Sequence, residues 1–252
     1  MNVYQFLLGA GLSLVYGVGP ALAGPNTVSL VSQPDLAAGL AAFPTVTAPS
    51  DAATQRINRA LASLDKSALG TLQSCRKQAA GSEVSAEWDR TVALTMRGPR
   101  YLALTVDEDW GCGGAHPDED SYPLVYDLQT GGPVNWLHLL PKSLQVKATL
   151  DTADDGTPIG VVESPILQAL YMKMVGPQDP SCLPPFEFTI WPDAKADGLA
   201  LQPFGLAFAF QACGVEIVLP LAQARQLGVD PTLLAAIATA HTSKWYDLTS
   251  HE

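Results

Sequence analysis

The chain has no C-x-x-C pair, which removes a thioredoxin-type dithiol and a zinc ribbon, and no H-E-x-x-H or other paired-histidine spacing for a catalytic zinc. It also lacks G-x-S-x-G, and no S-x-x-K is followed by the motifs that would make its serine a nucleophile. Cationic residues are scarce: 14 Lys and Arg stand against 25 Asp and Glu, a formal net charge of -11. Nucleic acid, whose phosphates need a basic face, is therefore not an expected partner; the balance suits a solvated acidic surface or a basic partner. No segment repeats. What is present, 47% apolar and 15% charged residues in a chain of 252, is the composition of a globular protein with one sizeable core.

Residues 1–23 hold no Asp, Glu, Lys or Arg and end in Ala21-Leu22-Ala23, so they read as a secretory signal peptide cut after Ala23. No Cys follows that site to carry a lipid, and no stable membrane span is expected after cleavage. Residues 24–50, rich in Pro, Ala, Ser and Thr, read as an extended leader whose first anchored point is Phe43-Pro44. Residues 51–252 then form a single domain, periplasmic or secreted.

Asp51 precedes an amphipathic pattern, Ile57, Leu61, Leu64 and Ala68, that predicts an N-terminal helix. Val92–Met96 and Leu102–Val106 alternate around Arg97-Gly98-Pro99-Arg100 as an antiparallel hairpin, and Pro123–Leu128 resumes the alternation. Residues 143–150 and 164–175 read as helices, the second with Ile166, Leu170 and Met174 on one face. Strands are expected at 186–190, 198–201, 204–210 and 215–219; Phe204, Leu206, Phe208 and Phe210 share one face of the third. A short helix follows Pro220, and Asp230-Pro231 opens the last one. The fold class is α+β, antiparallel sheets with the N-terminal and C-terminal helices packed on them.

Residues 107–121 stand apart, gathering a Cys, a His, a Trp, three Gly and six carboxylates between two apolar runs. Glycines and Pro117 predict a shaped loop, with Trp110, Gly113, Gly114, His116, Asp118 and Asp120 as candidate ligand-binding residues. A calcium reading fails on spacing, because Gly111 and Cys112 fill the fifth and sixth places of an EF-hand counted from Asp107. No metal, cofactor or catalytic residue is assigned. Trp88, Trp110, Trp136 and Trp191 read as core. In an exported chain, Cys75, Cys112, Cys182 and Cys213 predict two disulfides in any of three pairings.

Phe43-Pro44, Ile57-Asn58, the strand at Tyr101-Leu102, Gly113-Gly114-Ala115-His116-Pro117, and Tyr126-Asp127-Leu128 with Thr130-Gly131 together resemble the RsiV/PdaC-like extracytoplasmic domain over most of 40–235. The resemblance implies a small α+β unit outside the membrane, one that binds lysozyme in the anti-sigma members and accompanies a peptidoglycan deacetylase in others. Neither a cytoplasmic portion to hold a sigma factor nor a deacetylase domain is expected alongside it, so only ligand binding is expected to transfer. The expected function is therefore a non-catalytic envelope domain that binds a protein such as a basic lysozyme, or peptidoglycan. The alternative is a periplasmic hydrolase acting on a glycan or ester, which requires His116 and loop carboxylates to converge in a concave pocket.

Overall fold

A computed structural model describes residues 27–81, 85–113, 117–145, 147–152, 158–176, 182, 185, 187–206 and 208–247. Helix α1 (Ala52–Ala79) begins where the sequence requires it. The Asp51 carboxylate accepts the Thr54 N–H at 2.8 Å, and Thr54 Oγ1 accepts the Asp51 N–H at 3.2 Å, a reciprocal cap. The buried stripe Ile57, Leu61, Leu64, Ala68 continues through Leu72 and Cys75, so the helix runs past its expected end and carries a cysteine. Arg76 and Lys77 sit in the last turn, favourably placed for the helix dipole.

The leader packs on this helix. Strands β1 (Ser29–Val31) and β2 (Thr45–Ala48) pair antiparallel, and Val28, Leu40, Phe43 and Val46 are buried, so anchoring begins before Phe43. Asn58 of α1 holds the Val46 backbone from both sides: its Oδ1 accepts the N–H at 2.9 Å and its Nδ2 donates to the carbonyl at 2.8 Å. A side-chain amide has both halves needed to replace a missing strand neighbour.

Strands β3 (Glu87–Arg97), β4 (Tyr101–Gly111) and β5 (Asp118–Asp127) form a three-stranded antiparallel meander. The acidic stretch is mostly strand. Asp107–Gly111 extends β4 and Asp118–Ser121 opens β5, leaving only 112–117 as the connection, because cross-strand pairing continues through the carboxylates as far as Trp110 and Asp118. After β5, Gly131 adopts φ +70°, and a side chain there would overlap the Ala53 carbonyl, which explains the glycine at this turn. Helix α2 (Trp136–Leu139) follows, its Trp136 ring occupying the space that a side chain on Gly160 would fill.

The second sheet is a five-stranded antiparallel meander of β6 (Lys147–Thr152), β7 (Pro158–Glu163), β8 (Glu187–Asp193), β9 (Gly198–Pro203) and β10 (Ile217–Pro220). Helices α3 (Pro165–Val175), α4 (Leu221–Gln226) and α5 (Pro231–Thr242) accompany it. Three expectations are corrected here. Residues 143–150 are not a helix: a 3-10 turn at Lys142–Leu144 gives way to β6, whose partner is β7. The alternation 204–210 is not a strand: β9 stops at Pro203, Gly205 takes φ +71°, and a 3-10 segment at Phe208–Cys213 follows. Helix α3 exists, but Leu167 and Tyr171 are buried while Ile166 and Met174 are exposed. The helix is apolar nearly all round, and its rotation is set by Tyr171, whose hydroxyl donates to the Cys213 carbonyl at 3.0 Å and whose ring meets Phe188.

The three-stranded sheet is the middle layer. Leu102, Leu104, Val106, Tyr122, Leu124 and Tyr126 pack towards α1 and the leader, with Ile159 and Val161 closing that core. From the other face, Tyr101, Ala103 and Val125 join the larger core of Phe188, Ile190, Trp191 and the C-terminal helices. Trp88, Trp136 and Trp191 are buried core, as expected, and Trp110 is partly exposed.

Candidate functional site

Along β4 the residues alternate between the two faces, and past Val106 the outward ones are acidic. Register places Asp89, Asp109 and Glu119 directly opposite one another across β3, β4 and β5, with Thr91, Asp107 and Ser121 as the next outward row. Glu87 lies beyond, opposite Gly111. Neighbouring strands are about 4.8 Å apart and successive outward residues about 6.8 Å apart, so these side chains form a small carboxylate grid on one face. Glu87, Asp89, Asp107, Asp109 and Glu119 are all exposed, and among the described residues none of them forms an ion pair with a cation. Ser121 Oγ donates to Asp107 Oδ1 at 2.6 Å. Like charges directly opposite in a sheet destabilise it, so this face is held together by something other than its own side chains.

The opposite face supplies that support. Trp88 and Trp110 are cross-strand partners and stack at 5.4 Å between centroids with 20° between planes. Cys112, one residue past β4, is bonded to Cys75 of α1, so the far end of the hairpin is fastened to the far end of the helix. Leu40, Ala68, Leu72 and Cys75 make a small core against Trp88. In the adjacent row, buried Arg90 points under α1: its Nε donates to the Ala41 carbonyl at 2.8 Å, its Nη2 pairs with Asp65, and Nη1 lies 3.8 Å from Glu108 Oε1. The guanidinium also lies over the Phe43 ring at 4.7 Å. Asp65, which accepts the Phe43 N–H as well, has its carboxyl pushed above the ordinary value by burial, against the pull of Arg90.

A second brace comes from the five-stranded sheet. Gln211 Nε2 donates to the Glu119 carbonyl at 2.6 Å, and Gln211 belongs to the 3-10 segment that ends at Cys213, which is bonded to Cys182. The Glu216 carboxyl is pushed up by loss of hydration and by the charges of Asp193 and Asp107, so the acidic surface extends onto the approach to β10.

Of the candidate residues, Trp110 is stacked under the hairpin, Gly113 sits at φ +81°, Asp118 is exposed at the rim opposite Trp110, and Asp120 stands opposite Glu108. Gly114 and His116 lie outside the described residues. Sequence reasoning missed Glu87 and Asp89, which come from a strand twenty residues upstream, and Arg90 beneath them. Among the described residues no group of three or more His, Cys, Asp or Glu has the arrangement of a metal site, and no helix is long and apolar enough to cross a membrane. A cavity beside Trp136, lined by Tyr126, Val134, Gly160 and Ile190, carries no carboxylate and has room for about one water molecule.

No protein-family model and no curated protein matches the chain. Its structural neighbours are DUF3298 family proteins. The crystal structure of a member of that family from Bacteroides fragilis aligns at 13% identity and a TM-score of 0.48, covering 84% of this chain and 96% of that one. A DUF3298 family protein from Pseudomonas aeruginosa aligns at 11% identity and a TM-score of 0.37, covering 61% of this chain and 66% of the other.

Proposed function

We propose that the chain is an exported, non-catalytic binding domain whose acidic hairpin face docks a basic protein of the cell envelope, a lysozyme being the type of partner. One observation carries the reading: three adjacent strands present Glu87, Asp89, Asp107, Asp109 and Glu119 on one exposed face without a cationic partner among the described residues. Such a field accelerates encounter with a basic surface, and the counter-charge that the fold withholds is what the partner supplies. The two disulfides and the apolar N-terminal stretch ending in Ala21-Leu22-Ala23 support an oxidising, extracytoplasmic location. The resemblance to the RsiV/PdaC-like domain supports a lysozyme as the first ligand to try, and the packing of the leader on α1 supports its folding as part of one domain with 51–252.

The test is calorimetry of the purified chain with a lysozyme at low and moderate salt, alongside a variant combining Asp89→Asn, Asp109→Asn and Glu119→Gln. The expected result is saturable binding that the variant weakens at least tenfold and that salt weakens more in the parent than in the variant. Absence of saturable heat at low salt, or equal affinity of the two proteins, overturns the reading.

A further inference from the structure

Both disulfides bear on the acidic end of the hairpin, one directly and the other through a hydrogen bond. Cys75–Cys112 fastens the end of β4 to the last turns of α1. Cys182–Cys213 fixes the 3-10 segment whose Gln211 holds the Glu119 carbonyl of β5. Between these two braces lie the carboxylates of Asp89, Asp109 and Glu119, opposed in one row and repelling one another. The end of the hairpin is an element under electrostatic load, fixed by a covalent bond at one margin and by a hydrogen bond at the other. Its lower half is different in kind, since Leu102, Leu104, Val106, Tyr122, Leu124 and Tyr126 are core residues that need no such support.

We infer that Cys75–Cys112 is a redox latch on the acidic end of the hairpin: with the bond closed the carboxylate face is held in register, and with it reduced residues 107–111 and 118–121 open while the rest of the sheet stays folded. The chemistry requires a dithiol reductant. One thiolate of the reductant attacks Cys112 Sγ, because Cys112 is the partly exposed residue of the pair and Cys75 is only 2% exposed. The bond between the two protein sulfurs breaks, and Cys75 leaves as a thiolate and takes a proton. The second thiol of the reductant then attacks the mixed disulfide, releasing Cys112 as a thiol and leaving the reductant as a disulfide. Cys75 Sγ lies 3.4 Å from the Gly111 carbonyl oxygen, so the thiol formed there has an acceptor in place. As a control of partner binding, the latch rests on the function proposed above; as a property of the hairpin, it stands without a partner.

Hydrogen exchange of the full chain, read by mass spectrometry with no partner present, tests it. Oxidised protein is compared with a Cys75→Ser/Cys112→Ser variant that retains the other disulfide, at low and high salt. Amides of 107–111 and 118–121 are expected to exchange at least tenfold faster in the variant at low salt, those of 101–106 and 122–126 to be unchanged, and high salt to restore part of the lost protection. Near-ultraviolet circular dichroism is expected to lose the Trp88–Trp110 stacking signal in parallel. Adding Asp109→Asn and Glu119→Gln to the cysteine variant is expected to slow the tip exchange again. Unchanged exchange at the tip, a uniform rise through the whole sheet and α1, or no recovery on removing the two charges each overturns the latch.

Discussion

Neutralising Asp109 separates the charge argument from every other account of the hairpin. Asp109 stands between Asp89 and Glu119, directly opposite both, so one substitution removes two repulsions. Directly opposed side chains have Cβ atoms about 5 Å apart, and exposed carboxylates splay to about 6 Å. In a water-like dielectric two charges at that separation repel by about 0.7 kcal/mol. At physiological salt the screening length of about 8 Å cuts this to roughly 0.3 kcal/mol. Asp109→Asn keeps the shape of the side chain, and Asn is as poor a strand former as Asp, so propensity contributes little. The variant is therefore expected to be more stable than the parent by about 1.4 kcal/mol at low salt and by about 0.6 kcal/mol at physiological salt. Urea unfolding followed by tryptophan fluorescence measures this without adding ions. Asp35→Asn, at an exposed position in the leader, is the control and is expected to change nothing. A variant less stable than the parent, or a gain that is the same at both salts, refutes the repulsive row.

Arg90→Met removes the donors to the Ala41 carbonyl and leaves Asp65 and Glu108 without their guanidinium; it is expected to cost about 3–5 kcal/mol in urea unfolding and to speed amide exchange at 39–46, and a cost below about 1 kcal/mol would refute the hub. Because burial raises the Asp65 carboxyl above 3.8, its contribution to stability is fully present below that pH and is lost as pH rises through the folded value. Parent stability relative to Asp65→Asn is thus expected to fall in urea midpoints as pH rises above about 4, and a flat or rising difference contradicts the sign. Gly131→Ala forces a side chain onto the Ala53 carbonyl at φ +70° and is expected to cost more than about 2 kcal/mol, whereas Gly70→Ala, with open space around it in α1, is expected to gain about 0.5–1 kcal/mol; thermal or urea unfolding checks both.

Four helices, α1, α3, α4 and α5, and most strands were legible because periodicity and caps are local. Asp51, Ser164 and Asp230 mark helix starts by their side chains alone, and each accepts backbone N–H groups in the structure. The errors came where tertiary contacts chose among local options. Residues 204–210 alternate like a strand, yet β9 already has both neighbours in β8 and β10, and the run winds into a turn held by Cys213. In α3 two apolar stripes competed, and a buried tyrosine hydroxyl decided between them. The acidic face was illegible for a sharper reason. The turn at Gly98-Pro99 pairs Arg97 with Leu102, and carrying that register outward would put Asp89 opposite Trp110. An irregularity between Leu94 and Met96 shifts the pairing by one residue, so Asp89 meets Asp109 instead. One bulge, invisible in composition, converts scattered carboxylates into a row.

The far end of the three-stranded sheet breaks several local rules at once: like charges opposed across three strands, a fully buried arginine between two carboxylates, stacked indoles, and a disulfide at the tip. A hairpin built only to be stable would alternate Lys and Glu across those rows and turn each repulsion into an attraction of similar size. The chain instead holds the carboxylates in register with a cross-link that closes a 37-residue loop, worth about 4 kcal/mol in the chain-entropy picture. That exceeds the estimated repulsion in the row more than twofold. The bond is therefore strong enough to keep the face assembled at any salt, and a basic surface of the kind proposed above would supply the counter-charge that the described residues do not.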